Sequence, residues 1–172
     1  TSTGLLTATS VSAGKTHSVA LSTQGDVYTW GKSSLLGRSG ATSNLLPGVV
    51  SGITGSVTEV VAGNQNTFAL TSGGNAWGWG EGFDGQLGNG GNISSQTPVQ
   101  VSTSTGLTAI TSVSVGYRHV AALKSDGTVW TWGNDNKRQL GNYAGYNTSS
   151  AVATGRYHSM ALKSDGTVVA WG

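Results

Sequence analysis

Three histidines pose the first chemical question, because an imidazole can ligate a metal or carry a proton near neutral pH. His17, His119 and His158 each stand three residues after a glycine and three before an Ala-Leu pair, and Asn66 holds that slot in a further copy of the phrase. One slot per copy spreads the rings apart, and an Asn is accepted there. They read as loop residues hydrogen-bonded to backbone, and no metal centre is expected. Of seven carboxylates, Asp26, Asp126 and Asp165 fall in turns. Glu81 and Asp84 share a Gly-rich loop and form the one candidate pair for acid–base work, but no further group completes a catalytic set. Asn134-Asp135-Asn136 begins like a calcium loop yet lacks the later Gly and Glu. No Ser sits in a Gly-x-Ser-x-Gly elbow, and the absence of Cys removes thiolate and disulfide chemistry. The glycine runs do not join a strand to a helix, so they read as turns and not as phosphate cradles. The expectation is a non-enzymatic chain without a cofactor.

The same residues belong to a repeat. The phrase Gly-x-x-His, two residues, Ala-Leu, a turn and a run closing in Trp-Gly spans 14–31, 63–80, 116–133 and 155–172. A period of tens of residues marks a solenoid, a propeller or an array. Val113-Ser114-Val115, Val120-Ala121-Ala122-Leu123 and Val129-Trp130-Thr131-Trp132 read as three short strands. Ser125-Asp126-Gly127-Thr128 joins the last two, and Asp-Gly predicts a type I′ turn. All six Trp lie in the return strands, where each covers a large apolar area, which predicts packing between neighbouring sheets. Pro47-Gly48-Val49-Val50 and Pro98-Val99-Gln100-Val101 are candidate fourth strands, with Pro at the first position of an outer edge.

The four copies give an all-β chain of four-stranded propeller blades, with repeats at about 1–48, 49–97, 98–141 and 142–172. Thr1-Ser2-Thr3-Gly4-Leu5 returns at Thr103-Ser104-Thr105-Gly106-Leu107, two repeats later. The Gly-to-Gly steps are 49 (14 to 63), 53 (63 to 116) and 39 (116 to 155). The short third step, through Tyr143 to Ser150, predicts a lost or shortened outer strand.

Val-x-x-Gly-x-x-His-x-x-Ala-Leu, the Asp-Gly turn, Val-x-x-Trp-Gly and Gly85-Gln86-Leu87-Gly88 resemble the repeats of the regulator of chromosome condensation family. Arg138-Gln139-Leu140-Gly141 matches the last motif in part. The resemblance covers the whole chain and implies a seven-bladed β-propeller, of which 172 residues supply about half. A half ring leaves two apolar faces and raw strand edges, so a homo-oligomer or a longer polypeptide is expected to complete it.

Charged residues are 9% of the chain and the net charge is +2, which argues against nucleic acid as a partner. No apolar run reaches the length of a membrane span. Within the family, low charge and Ser/Thr-rich connectors are similar to the bacterial secreted branch, which holds β-lactamase inhibitor protein II, more than to the nuclear exchange factor. That implies an extracellular or cell-surface setting, with the cytoplasm as the alternative. Comparing copies shows where the framework varies: Lys15-Thr16, Asn64-Gln65, Tyr117-Arg118 and Arg156-Tyr157. Tyr and Arg are favoured at interface hot spots. Tyr117, Arg118, Arg156 and Tyr157 are therefore the candidate partner-binding residues, with Glu81 and Phe83 as a second loop. The leading expectation is a protein or cell-surface partner. A secreted fibre, coat or adhesin subunit comes next, then an exchange factor for a small GTPase.

Overall fold

The computed structural model describes residues 6–40, 44–102, 106–141 and 147–172. Within them the chain is all-β apart from one 3-10 turn at Ser33–Leu35. Four antiparallel sheets follow one another along the sequence. The first joins β1 (Ala8–Ala13), β2 (His17–Ser22), β3 (Val27–Gly31) and β4 (Gly48–Val49) in that order. The second joins β5 (Val57–Ala62), β6 (Asn66–Thr71), β7 (Ala76–Gly80) and β8 (Ser95–Gln100). The third holds β9 (Ile110–Val115), β10 (His119–Lys124) and β11 (Val129–Gly133). The fourth holds β12 (Ser149–Thr154), β13 (Ser159–Lys163) and β14 (Val168–Trp171). No fourth strand joins the third sheet among the described residues. The connector at 142–146, the start at 1–5 and its echo at 103–105 lie outside the described residues.

Each sheet is a meander built by the same local rules. The innermost strand carries a bulge at one place in all four copies. There Thr9, Thr58, Thr111 and Ser150 donate their hydroxyls to the carbonyls of Leu21, Leu70, Leu123 and Leu162 at 3.2–3.3 Å. The turn into the third strand is not type I′. Only its glycine is left-handed (φ +79° at Gly127), while Asp126 is not. Gly127 N–H bonds Lys124 C=O and Lys124 N–H bonds Thr128 C=O. That is a type I turn followed by a glycine bulge. Asp126 serves it through its carboxylate, which accepts from Thr128 N–H and Oγ1 at 2.9 and 2.6 Å. Pro98 stands inside β8 and not at its start, which the sheet tolerates because β8 is an edge paired only to β7.

The sheets stack face to face along the chain. Outward residues of one sheet meet inward residues of the next, and the alternation of strand side chains selects them. Val19, Leu21 and Val27 of the first sheet share a core with Val60, Ala69 and Trp79 of the second. Phe68, Leu70 and Ala76 of the second share a core with Val113, Val120 and Ala122 of the third. Three of the six tryptophans also make a hydrogen bond across these seams. The indole N–H groups of Trp79, Trp132 and Trp171 donate to the backbone carbonyls of Leu35, Gln86 and Gln139 on the preceding connector, at 3.1, 3.0 and 2.9 Å. Trp79 is fully buried; the other five are half-buried. Trp130, two residues before Trp132 and so on the same face of β11, also packs against the core shared by the second and third sheets, with the Lys124 ammonium 5.6 Å from its ring.

The same slot carries different burdens in different sheets. Phe68 is 1% exposed and Met160, its counterpart in the fourth sheet, is 36% exposed. Phe68→Ala should cost about 3–5 kcal/mol. Met160→Ala should cost roughly 0.5 kcal/mol or less, because it empties a surface site. Urea unfolding of the two variants checks this contrast; equal losses would mean the seams do not carry the stability.

Candidate functional site

The candidate site is the rim formed by the turns between the first and second strands of each sheet. Glycine opens each turn, and its N–H bonds the carbonyl of the residue three positions on: Gly14 to His17, Gly63 to Asn66, Gly116 to His119 and Gly155 to His158. This leaves the two intervening residues free to vary while their backbone is held. The turns ring a concave depression of about 500 Å³, lined by Lys15, Asn64, Tyr117, Arg156 and those glycines.

Four of the predicted residues come together at one end. Tyr117 and Tyr157, from successive sheets, meet edge to face with ring centroids 5.8 Å apart. The Arg156 guanidinium lies 5.0 Å from the Tyr117 centroid and 5.1 Å from that of Tyr157, and Arg118 lies 5.4 Å from Tyr117. Each such cation–π contact contributes about 0.5–1 kcal/mol at an exposed site. Among the described residues Arg156 has no carboxylate partner.

Arg118 is tied differently. Its Nη1 contacts Asp84 Oδ2 at 3.2 Å across the seam, and Asn134 Nδ2 donates to Asp84 Oδ1 at 2.9 Å. Gln86, buried below, accepts from Asp84 N–H at 2.7 Å. Asp84 thus has both oxygens engaged in positioning Arg118, and it does not form an acid–base pair with Glu81. Glu81 anchors its strand end through its own N–H to Gln65 C=O. Phe83 is 68% exposed on the same loop. Reasoning from sequence missed Asp84, Asn134 and Gln139 as rim supports. Gln-Leu-Gly in two connectors was the available signal. It also missed Leu35-Leu36-Gly37, the same motif with Leu in place of Gln.

His158 is an exposed loop residue, as expected, but two of the three histidines are not. His17 and His119 begin β2 and β10, fully buried. His17 Nε2 pairs with Thr67 Oγ1 at 2.7 Å, and His119 Nε2 with Ser159 Oγ at 3.0 Å, each hydroxyl belonging to the next sheet. Burial lowers both pKa values; backbone contacts to Asn66 and His158 respectively oppose the shift. Both Nδ1 atoms are buried without a partner, so protonation would add a charge with nothing to receive it. Among the described residues no group of three His, Cys, Asp or Glu could hold a metal.

With that geometry in view, the comparisons decide the family. Sequence models of the regulator of chromosome condensation (RCC1) repeat match residues 24–70 and 73–123 in one form, and 8–35, 57–86, 110–139 and 150–172 in another. The chain belongs to the RCC1 repeat family. Mouse E3 ubiquitin-protein ligase HERC2 is 34% identical over 137 residues, 77% of this chain and 3% of the ligase. The Arabidopsis ultraviolet-B receptor UVR8 is 34% identical over 144 residues, 82% of this chain and 32% of the receptor. The chain therefore spans a third or less of these relatives. Human WBSCR16 superposes with a TM-score of 0.85 at 23% identity, covering 94% of this chain and 46% of that one. Yeast Prp20p, studied for its binding to Gsp1p and histones, superposes at 0.80 with 24% identity, covering 95% and 44%. These likenesses establish the partial RCC1 propeller.

The lowered histidine pKa values fix a pH dependence. The unfolded state takes up protons first, near the ordinary value of about 6.5. Stability from neutral His17 and His119 is therefore present above that value and lost as pH falls through it. The urea midpoint should drop between about pH 7.5 and pH 5. His17→Asn with His119→Asn, which copies the Asn66 slot, should flatten that drop. Glu59, raised by burial, acts in the opposite sense but is common to both proteins. An unchanged slope in the double variant would assign the dependence elsewhere.

Proposed function

We propose that this chain is a non-catalytic protein-binding module whose contact surface is the Tyr117, Arg118, Arg156 and Tyr157 rim. The observation that carries the reading is the Arg156 guanidinium stacked on two tyrosines from adjoining sheets with no carboxylate of its own. Such an arrangement holds its side chains ordered before a partner arrives, which lowers the entropy cost of binding. It also offers aromatic area and an unpaired cation, so the partner should present a carboxylate against Arg156. The exposed Phe83 extends the surface along the loop that carries Asp84. A relative studied for binding Gsp1p and histones supports protein recognition by the repeat without naming this chain's partner. Its 9% charged composition supports a place in the bacterial, extracellular branch as part of the same proposal.

Selection of a displayed random-peptide library on the immobilised chain tests the surface. Enriched peptides should carry acidic residues, and Arg156→Ala or Tyr117→Ala should each weaken them at least about tenfold by calorimetry. Asp84→Asn should weaken them less, since it loosens Arg118 without removing it. Enriched peptides that bind the Tyr117→Ala/Arg156→Ala protein as tightly as the parent would refute the rim as the site.

A further inference from the structure

Successive seams carry the same slots with different charges. In the second connector Asp84 N–H bonds Gln86 Oε1, and in the third Lys137 N–H bonds Gln139 Oε1, both at 2.7 Å. Lys137 therefore stands in the repeat where Asp84 stands. Arg118 is the second residue after Gly116, and Tyr157 is the second after Gly155. Across the second seam these slots hold an acid and a base, the Asp84–Arg118 pair at 3.2 Å. Across the third they hold Lys137 and Tyr157, so a cation has replaced the acid and the slot opposite carries no charge. Among the described residues Lys137 has no carboxylate partner.

A cavity of about 230 Å³ opens at this internal seam, lined by residues that include Tyr117, Arg118, Asn134, Lys137 and Tyr157. Its polar groups are unequally engaged. Asn134 donates to Asp84 and accepts at Oδ1 from Asn136 N–H and Gln139 Nε2. Arg118 commits Nη1 to Asp84, but its Nε is buried with no hydrogen-bond partner. A buried donor left unpaired is unfavourable, and a ligand oxygen that reached it would relieve that penalty. Asp135, the acid of this connector, accepts from Leu140 N–H and does not line the cavity. The cavity thus holds an unpaired ammonium and an unpaired guanidinium nitrogen, which is the chemistry that receives the two oxygens of a carboxylate.

We infer that this cavity is a second carboxylate subsite, which takes an Asp or Glu side chain of the partner between Lys137 and Arg118. The inference rests on the rim reading above and makes it more specific. That reading places one acid of the partner on Arg156. Tyr117 lines both the depression that holds Arg156 and this cavity, so its ring adjoins both subsites. Arg118 and Arg156 each lie within 5.4 Å of its centroid, so the two acids must be close together. Residues i and i+2 of an extended chain point to one side, about 7 Å apart. The recognition element of the partner is therefore an extended segment with the pattern acid-x-acid.

Selecting a displayed random-peptide library in parallel on the parent and on the Lys137→Glu protein tests the subsite. Lys137 is exposed and supports its connector through its backbone N–H, so both variants used here should keep the parent's urea midpoint. Peptides enriched on the parent should carry acid-x-acid. Lys137→Glu should weaken them about tenfold and Lys137→Gln roughly threefold by calorimetry. Peptides enriched on Lys137→Glu should keep the acid that meets Arg156 and carry Lys or Arg in place of the other. One Glu→Lys change in a parent-selected peptide should restore its affinity for Lys137→Glu, a coupling that a merely structural role for Lys137 would not produce. Peptides that weaken with Arg156→Ala but bind Lys137→Glu as tightly as the parent would overturn the subsite and leave the rim standing. Peptides indifferent to both substitutions would overturn the rim reading and the subsite with it.

Discussion

An indole N–H bonded to the backbone of the sheet before it is the interaction on which this architecture depends. A three- or four-stranded sheet of five-residue strands cannot bury enough surface to stand alone. Its two faces need neighbours, and the neighbours must be held at one distance and angle. Trp79, Trp132 and Trp171 do this by reaching a carbonyl on the preceding connector. The connector residue two positions past that carbonyl is glycine each time: Gly37, Gly88 and Gly141, at φ +67°, +69° and +66°. A Cβ on Gly88 would come within 2.7 Å of the Trp132 indole nitrogen. Backbone conformation and close approach therefore demand glycine together. One bond thus fixes the seam and the connector's approach to it, while the rest of the repeat varies in length.

The same connector also places the functional rim. Gln86 offers its backbone carbonyl to Trp132 and its side-chain carbonyl to Asp84 N–H. Asp84 in turn grips Arg118 and Asn134 on the following sheet. The third connector repeats the device: Gln139 accepts from Lys137 N–H and donates to Asn134 Oδ1. An exposed ion pair alone contributes little. Here its partners are fixed by buried amides, so the rim side chains start from an ordered arrangement. Thr29 and Thr131 complete the support by donating to the carbonyls of Leu36 and Leu140 at 2.6 Å.

Strands, repeat phase and fold class were legible because they rest on local signals, namely period-two alternation and turn glycines. The rim cluster was legible because the four copies could be compared and only Tyr117-Arg118 and Arg156-Tyr157 broke the pattern with aromatic and cationic residues together. What was not legible depends on contacts some 40 or 50 residues apart. The His17–Thr67 and His119–Ser159 bonds join different repeats, so a slot read within one copy gave backbone as the partner. Asp84 looked like half of an acid–base pair because its real partners lie across the seam. The turn type was misread for a different reason. Asp-Gly fits type I′ by residue preference, but the carboxylate of Asp126 is engaged by Thr128, which holds Asp126 right-handed and leaves only Gly127 at positive φ.

Near-identical modules raise a problem of order that the seam chemistry resolves. Apolar faces built from Val, Leu and Ala are interchangeable, and hydrophobic contact alone would let a sheet pack against the wrong neighbour. The slot residues break that degeneracy. Placing the Val120 face against His17 would leave a buried imidazole nitrogen unpaired, at a cost of about 1–3 kcal/mol. Placing the Ser159 face against Asn66 would give up the hydroxyl–imidazole bond that Ser159 makes with His119. Each seam is therefore favoured both by its own pair and by the penalty on exchanging it. Because these pairs sit at the first residue of the second strand, beside the rim turns, they also decide which variable turns become neighbours. Tyr117 meets Tyr157 because Val120 and Ser159 admit that order of sheets, so the specificity of assembly and the composition of the binding surface follow from one set of residues.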